Sequence, residues 1–307
     1  MGPDFFASPE AYAMIEQLRR RLQALQKTAV LDGAPGCLPL GIAAIDTALG
    51  GGLARGALHE VAAVSEAHLA AATGFAVGLS ALRDDARAAN SSSPLPWGEV
   101  GSRSDPGEGL RPIESHLPPH PNPLPPGERE SRRIRGTAKR HLVWLAEDMA
   151  LAESGAPHGP GLDASGLLPE QLLTVAVARP HDLLWAMEEA LRCRAIDAVI
   201  GELRQSEIDM VILRRLSLAA ADSGALALLL RAAPPTDTST AATRWIVGAT
   251  PSATASPRFT AQLTRNRRGP LGAWILEWSD SDERFLLATP AQPVAAPALD
   301  RPHRKVA

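Results

Sequence analysis

Two carboxylate groups in this chain follow apolar runs and could take part in metal or acid–base chemistry. Glu147, with Asp148 beside it, comes directly after the run 141–146, and Glu202 follows the run 196–201. Both runs have the composition of buried strands, and open α/β sheets bind ligands at the carboxyl ends of their strands. A pair of carboxylates in that position could hold a metal ion or activate a water molecule.

The loop that would have to bind a phosphate group comes after the predicted strand 58–62. Such a loop needs glycine N–H groups around the phosphate oxygens, a lysine for their charge, and a serine or threonine for Mg²⁺. Here the loop reads Ala63-Val64-Ser65-Glu66-Ala67-His68-Leu69-Ala70, without glycine or lysine. Glu66 would repel a phosphate by roughly 1–4 kcal/mol at a few ångströms. We therefore expect no nucleotide cofactor and no hydrolysis, and we interpret His68 as structural.

Other patterns of catalytic residues do not occur in the sequence. There is no Gly-x-Ser-x-Gly, no His-Glu-x-x-His and no cysteine and histidine cluster with the spacing of a zinc site. The two cysteines, Cys37 and Cys193, are expected to be free thiols. The sequence therefore predicts a protein that is not an enzyme and that binds no metal.

The overall composition is that of an ordinary globular protein. The chain has 307 residues, 45% of them hydrophobic, and a formal net charge of −3. No run approaches 18 apolar residues, and the N-terminus lacks a basic segment followed by an apolar one. We expect neither a membrane span nor a signal peptide, and a cytoplasmic location.

Apolar runs alternate with helical patterns along most of the chain. Strands are expected at 58–62, 141–146, 172–177, 196–203 and 225–230, with helices at 66–82, 180–193 and 208–223 between them. This alternation favours a parallel sheet. Three further strands are expected at 241–249, 258–265 and 272–278, the last with the alternation of an antiparallel edge. We predict an α/β fold with a mostly parallel sheet, flanking helices and an antiparallel edge hairpin.

Shifts in composition divide the chain into four parts. Residues 1–37 form an N-terminal helix and linker, whose apolar face carries Ile15, Leu18 and Leu22. Residues 38–87 and 138–286 form the core. The segment 88–137, rich in proline, glycine and serine, is expected to be a disordered insertion, interpreted as a translated DNA repeat or, alternatively, a proline-rich partner ligand. The tail 287–307 is also expected to be disordered.

A group of arginines supplies the candidates for DNA binding. The short loop 232–242, which Arg231 and Arg244 flank, contains no aromatic residue that could stack on a base. Two of the arginines lie on a predicted helix and could equally brace neighbouring helices. The candidates are Arg214, Arg215, Arg231, Arg244, Arg265, Arg267 and Arg268.

Several stretches of the core resemble a known family. The segment Gly41-Ile42-Ala43-Ala44-Ile45-Asp46-Thr47-Ala48-Leu49-Gly50-Gly51-Gly52-Leu53, followed by Gly56 and Glu60, resembles the lead-in to the phosphate-binding loop of RecA recombinases. It is more similar to ImuA, the RecA-related accessory family of bacterial damage-induced mutagenesis. The runs 185–191, 214–221, 242–245 and 265–269, with Glu277-Trp278, extend the resemblance over about 8–86 and 138–284.

The resemblance implies a RecA-like core whose nucleotide site has been lost. Glu147 would correspond to the catalytic glutamate of the RecA pattern, and Glu202 to the Asp that orients Mg²⁺. The Gly-Lys-Thr of the pattern would fall near His68-Leu69-Ala70, and its glutamine near Arg231, where no glutamine occurs. The degenerate positions are thus Ala63, Glu66, His68, Leu69, Glu147 and Glu202.

The resemblance also implies a function and partners. An ImuA-like protein would act in SOS-induced translesion synthesis with ImuB and an error-prone DNA polymerase III alpha-type subunit. The N-terminal helix could simply pack on its own domain. Because RecA-like proteins dock a neighbouring subunit through an N-terminal helix, Ile15, Leu18 and Leu22 are alternatively candidate docking residues for ImuB or RecA. Two alternatives stay open: a cell-division inhibitor like SulA, which shares a diverged RecA-like core, and a RecA-like DNA-dependent ATPase.

Overall fold

Most of the predicted core is present in the structure, a computed structural model that describes residues 9–28, 36–82, 141–157, 159–204, 207–236, 238–252 and 255–288. The predicted insertion 88–137 and all but the first two residues of the predicted tail lie outside these ranges. In the described part, none of the helices is both long enough and apolar enough to span a membrane.

The helices and strands follow one another along the chain in a regular order. They are α1 (Pro9–Thr28), β1 (Cys37–Leu38), α2 (Ala43–Ala48), β2 (Leu53–Ala54), β3 (Ala57–Ala63), α3 (Leu69–Ala81), β4 (Leu142–Glu147), α4 (Asp148–Ser154), α5 (Gly159–Ala164), β5 (Leu172–Val177), α6 (Pro180–Leu191), β6 (Ala198–Leu203), α7 (Met210–Ser223), β7 (Leu226–Arg231), β8 (Thr243–Ala249), β9 (Arg258–Asn266), β10 (Gly272–Ser279) and β11 (Arg284–Leu287).

One nine-stranded sheet organises these elements. Its strand order is β11-β10-β9-β8-β3-β7-β6-β4-β5. The six strands from β8 to β5 are parallel, whereas β8 to β11 form an antiparallel meander. The predicted α/β class, with a mostly parallel sheet and an antiparallel edge, is confirmed. Strands β1 and β2 form a separate two-stranded antiparallel ladder, which the sequence pattern did not predict.

Helices cover both faces of the parallel part of the sheet. Helix α3 packs on one face, over β3, β7 and β8, while α6 and α7 pack on the other. Strand β7 shows why these runs are apolar throughout. Leu228 and Leu230 belong to the core on the α3 side, and Ala227 and Leu229 to the core on the α6 and α7 side. Successive side chains point to opposite faces, so a strand covered on both faces buries all of them.

An aromatic cluster fills the core between α3 and the antiparallel strands. Phe75 on α3 lies at its centre, with ring centroids 5.6 Å from Trp245, 6.0 Å from Phe259 and 5.1 Å from Phe285. Edge-to-face and tilted contacts of this kind add to the burial of apolar area. The cluster ties the meander to the parallel sheet.

Helix α1 packs on its own core, and this corrects one of the sequence predictions. Ile15, Leu18 and Leu22 are 0%, 3% and 5% exposed and belong to the same core as α6. Arg19 donates two hydrogen bonds to the carboxylate of Glu189 on α6, at 2.9 and 3.2 Å. The apolar face of α1 is therefore already used within the fold, and these three side chains are not a docking surface.

The burial of α1 leads to a prediction about stability. Replacing Ile15 by alanine should lower the free energy of unfolding by about 2–5 kcal/mol, because it leaves a cavity against α6. The exposed neighbour Gln17, replaced by alanine, should change it by no more than about 0.5 kcal/mol. Chemical denaturation of the two variants measures both values. Equal, small effects would show that α1 does not pack on the core in solution.

Candidate functional site

The loop after β3 is short and is bound to the neighbouring strand β8. Only residues 64–68 separate β3 from α3, and residues 66–68 form one turn of 3-10 helix. The Val64 N–H donates to the carbonyl of Val247 at 2.9 Å, and the Ala249 N–H donates to Nδ1 of His68 at 2.9 Å. His68 thus holds the loop against β8, in agreement with its structural interpretation.

Three further degenerate positions lie in or beside this loop. Ala63 and Leu69 are buried in the core on the α3 side, whereas Glu66 is exposed to solvent. An exposed carboxylate stands where a phosphate would need positive charge, so the charge opposes an anion here.

The two candidate catalytic carboxylates do come together, at the carboxyl ends of the parallel strands. Strands β4 and β6 are neighbours, with Ala146 opposite Glu202, and Glu147 ends β4. Both carboxylates are bound by one residue, Arg204. Its Nη2 lies 3.1 Å from Oε1 of Glu202, and its backbone N–H donates to Oε1 of Glu147 at 3.3 Å.

The surroundings of Glu202 suit an internal ion pair better than a metal ligand. Glu202 is 5% exposed, and burial raises the pKa of its carboxyl, an effect that the charge of Arg204 opposes. A buried carboxylate is stabilised by such a partner and hydrogen bonds. In the described ranges no group of three or more histidine, cysteine, aspartate or glutamate side chains is arranged to hold a metal ion.

Arg231 also lies at the carboxyl ends of the parallel strands, near the middle of the sheet. Its burial corrects its assignment to DNA binding. It is the last residue of β7, opposite Leu203 of β6 and Ala62 of β3, and it is 1% exposed. A side chain that is inaccessible to solvent cannot reach a DNA backbone. The RecA pattern implied a glutamine near this position, and a buried guanidinium occupies it.

The lead-in to β3 is held by its own polar side chains. The carboxylate of Asp46 accepts hydrogen bonds from the N–H groups of Leu40 and Gly41, at 2.7 and 3.0 Å. Asp46 therefore fixes the turn before α2. The spacing of this segment thus serves a structural purpose, which a sequence pattern does not distinguish from phosphate binding.

The turn between β9 and β10 packs directly on this lead-in. Asn266 Nδ2 donates to the carbonyl of Ala48 at 2.8 Å, and Arg268 Nη2 donates to that of Gly50 at 3.0 Å. A Cβ at Gly269 would lie 2.2 Å from the carbonyl oxygen of Ala48, so only glycine fits there. Two segments that carry the family resemblance, 41–53 and 265–269, are thus one structural unit.

Strand β3 carries a buried histidine that the sequence analysis did not single out. His59 is fully buried; its Nε2 donates to the carbonyl of Ala54 on β2 at 2.8 Å, and its Nδ1 lies 2.7 Å from Oγ1 of Thr243. Burial of the His59 ring favours the neutral imidazole. In that form the proton is on Nε2, Nδ1 accepts from the Thr243 hydroxyl, and Oγ1 in turn accepts from Trp245 Nε1 at 3.1 Å. The only sequence signal of this residue was a histidine inside an apolar run.

A buried carboxylate on β3 binds another of the arginines that were candidates for DNA binding. Glu60, fully buried, accepts hydrogen bonds from Ser239 Oγ at 2.7 Å and from Nε of Arg244 at 2.5 Å. Arg265 donates from Nε to the carbonyl of Ala241 at 3.0 Å. Both arginines line a cavity of about 440 Å³ beside Pro234 and Pro235. Arg244 is therefore largely an internal counter-ion.

The seven arginines proposed for DNA binding do not act as one group. Arg215 forms an ion pair with Glu188 of α6, with Nη2 and Oε2 2.5 Å apart, which matches its alternative role as a helix brace. Arg268 donates to Cys37 Sγ at 2.9 Å as well as to Gly50. Among the seven, Arg214 and Arg267 are exposed and have no side-chain hydrogen bond or ion pair within the described residues.

The burial of His59 predicts how stability depends on pH. Burial lowers the pKa of His59 from 6.5 to about 4, against the opposing effect of its hydrogen bond to Ala54. Between these values the unfolded chain binds the extra proton, so stability falls as the pH is lowered from about 6.5 to about 4. The loss attributable to His59 is at most about 3 kcal/mol.

The matched variant for this test is His59→Gln, whose amide can keep both hydrogen bonds without titrating. The free energies of unfolding of both proteins, measured at several pH values, should converge as the pH falls from 7 to 4, because only the parent chain loses the histidine contribution. Parallel pH profiles would contradict a buried neutral imidazole.

No described protein family matches the chain, and no curated protein matches it. Among solved structures, the chain is similar to the crystal structure of the RadB recombinase, with 11% sequence identity and a TM-score of 0.47. The match covers 82% of this chain and 100% of that one. The assignment of the chain to a mixed α/β fold rests on the strand order itself.

Proposed function

We propose that this protein is a non-catalytic RecA-like adaptor in SOS-induced, error-prone translesion DNA synthesis, working with ImuB and an error-prone DNA polymerase III alpha-type subunit. The observation that carries the proposal is the engagement of the nucleotide-site positions in internal contacts. His68 is bound to β8, and Glu147 and Glu202 are bound to Arg204. These side chains act in holding the fold together.

The strand order supports the RecA-like part of the proposal. The degenerate loop follows β3, a central strand, and β7 lies between β3 and the strand that carries Glu202. Strand β4, with Glu147 at its end, comes next. The positions matched on the RecA pattern therefore lie together at the carboxyl ends of the parallel strands, where an open α/β sheet binds its ligand. The architecture is kept while the groups that would bind phosphate are missing.

An exposed sheet edge supports docking of a protein partner. In the described part of the chain, β5 is the terminal strand of the sheet on the parallel side, and its sequence, LLTVAV, contains neither charge nor proline. Such an edge presents backbone groups that a strand from another chain can pair with. Since the apolar face of α1 is buried, β5 replaces Ile15, Leu18 and Leu22 as the proposed docking element.

The absence of nucleotide binding is the first prediction from this proposal. Titration with a fluorescent ATP analogue and Mg²⁺ should give no saturable signal, and ATP hydrolysis should not exceed the buffer background with or without single-stranded DNA. RecA measured alongside is the positive control. Saturable binding that Glu202→Gln alters would overturn the non-catalytic assignment and return the ATPase alternative.

Partner capture is the second prediction. The full chain should retain ImuB or RecA in a pull-down to the same extent with and without ATP and single-stranded DNA. The double variant Thr174→Lys and Ala176→Lys should reduce capture at least about tenfold, since both side chains are exposed and charges on an edge strand block strand addition.

The matched control carries the same two charges elsewhere, at Gln17 and Gln23 on the exposed face of α1. Capture by this control should equal that of the parent chain. Failure to capture either partner, or capture that requires ATP, would contradict the adaptor. Loss of capture in both variants would show that charge alone, rather than the β5 edge, is responsible.

A further inference from the structure

Helix α7 has an exposed face on which apolar and charged side chains are arranged so that the face is complementary to the same face of another copy. Its buried face includes Leu213 and Leu216, which pack in the core on the α6 and α7 side. On the opposite face Leu218 is 57% exposed and Val211 62% exposed. Val211 and Leu218 lie two turns apart on this face and give it an apolar stripe that another surface could cover.

Two opposite charges lie symmetrically about Leu218. Arg214 precedes it by four residues and Asp222 follows it by four, so each lies about 6 Å from it along the helix axis. Both are exposed, and neither makes a side-chain hydrogen bond or ion pair with any residue of the described ranges. The neighbouring Arg215, in contrast, is held by Glu188.

The position of Asp222 adds a second argument for a missing cation. It lies in the last turn of α7, which ends at Ser223 and is followed by Gly224 in the left-handed conformation. A carboxylate there faces the negative end of the helix dipole, which is locally unfavourable. A cation supplied by another molecule would relieve this.

We propose that α7 is the contact of a two-fold symmetric homodimer in which Leu218 packs on Leu218 of a second copy. Residues four apart form a ridge on a helix surface, and two such ridges interdigitate at a crossing angle of about −50°. In an antiparallel pair related by a two-fold axis at Leu218, Arg214 of each copy faces Asp222 of the other. The same patch meets itself, as an isologous interface requires.

The interface is expected to be small and the dimer weak. Its apolar part consists of Val211 and Leu218, with the small Ala221 also exposed between them and the helix end. Contacts of this size belong to the low end of protein–protein interfaces, and exposed ion pairs in them are screened by salt. Dissociation in the micromolar range, tighter at low salt, is therefore the expected behaviour. This inference does not depend on the proposed function.

Analytical ultracentrifugation of the full chain over a wide concentration range tests the dimer. The weight-average mass should rise towards twice the chain mass at high micromolar concentration, and Leu218→Asp should shift the dissociation constant upward by at least about tenfold. The control is Leu271→Asp, an equally exposed leucine outside α7, which should dimerise like the parent chain. A parent chain that stays monomeric throughout overturns the proposal.

Charge reversal distinguishes this interface from any other. Arg214→Asp alone and Asp222→Arg alone each bring like charges together at both ends, so each variant should be monomeric. An equimolar mixture of the two should form a heterodimer, because every contact then pairs opposite charges. The chain with both changes should dimerise with itself.

Circular dichroism and thermal unfolding check that all variants are folded, which is expected since the altered side chains are exposed. Two monomeric, folded single variants that fail to associate when mixed would contradict the Arg214 to Asp222 pairing. A dimer that persists in Leu218→Asp and in both reversals would place the interface elsewhere on the molecule.

Discussion

The structure depends on the hydrogen bonds made by two buried polar side chains in the middle of its central strand, β3. His59 and Glu60 lie next to each other on β3, both fully buried, and their side chains point to opposite faces of the sheet. A buried polar group or charge without a partner costs several kcal/mol, so the surrounding chain must supply partners to both. His59 binds β2 and Thr243, and Glu60 binds Arg244 and Ser239.

These contacts connect segments that are distant in sequence. Through His59, the lead-in is attached to the sheet; through Glu60, the loop before β8 is attached to β3. The β9–β10 turn then closes over the lead-in through Asn266 and Arg268. Because each partner is provided by a different part of the chain, loss of one contact would affect the alignment of β2, β3 and β8 together. Polar networks of this kind specify one arrangement of a core that apolar packing alone would leave less well defined.

At the carboxyl ends of the parallel strands, too, buried polar side chains have partners within the protein. Arg204 and Arg231 bring positive charge to the place where an open α/β sheet would hold a ligand, and Arg204 binds both Glu147 and Glu202 there. Glu147 and Glu202 thus already have a partner within the protein, whereas a phosphate site has an excess of donors before the ligand arrives. In the two proposals above, function rests on two surfaces, the terminal strand β5 and the exposed face of α7. Both suit contact with protein chains.

Two properties could be predicted from the amino-acid sequence: the class of fold, and a loop after β3 that is unsuited to binding phosphate. The fold class followed from apolar runs that alternate with helical patterns, since a strand buried on both faces must be apolar throughout. The loop lacks glycine and lysine in any conformation. Local composition decided both points. The structure adds the strand order, the small β1 and β2 ladder, and β11, which pairs with β10 and takes the edge position predicted for the strand 272–278.

The roles of individual side chains were decided only by the tertiary structure. The apolar face of α1 suits a partner as well as it suits α6, and only packing shows that Ile15 is inside. Arginines look alike in a sequence, yet Arg231 is buried, Arg244 neutralises Glu60, Arg215 braces α6, and Arg214 remains exposed. A charge or apolar group is defined by its neighbours, and those neighbours lie up to 231 residues away along the chain, as Arg268 does from Cys37. Local pattern carries no information about such contacts.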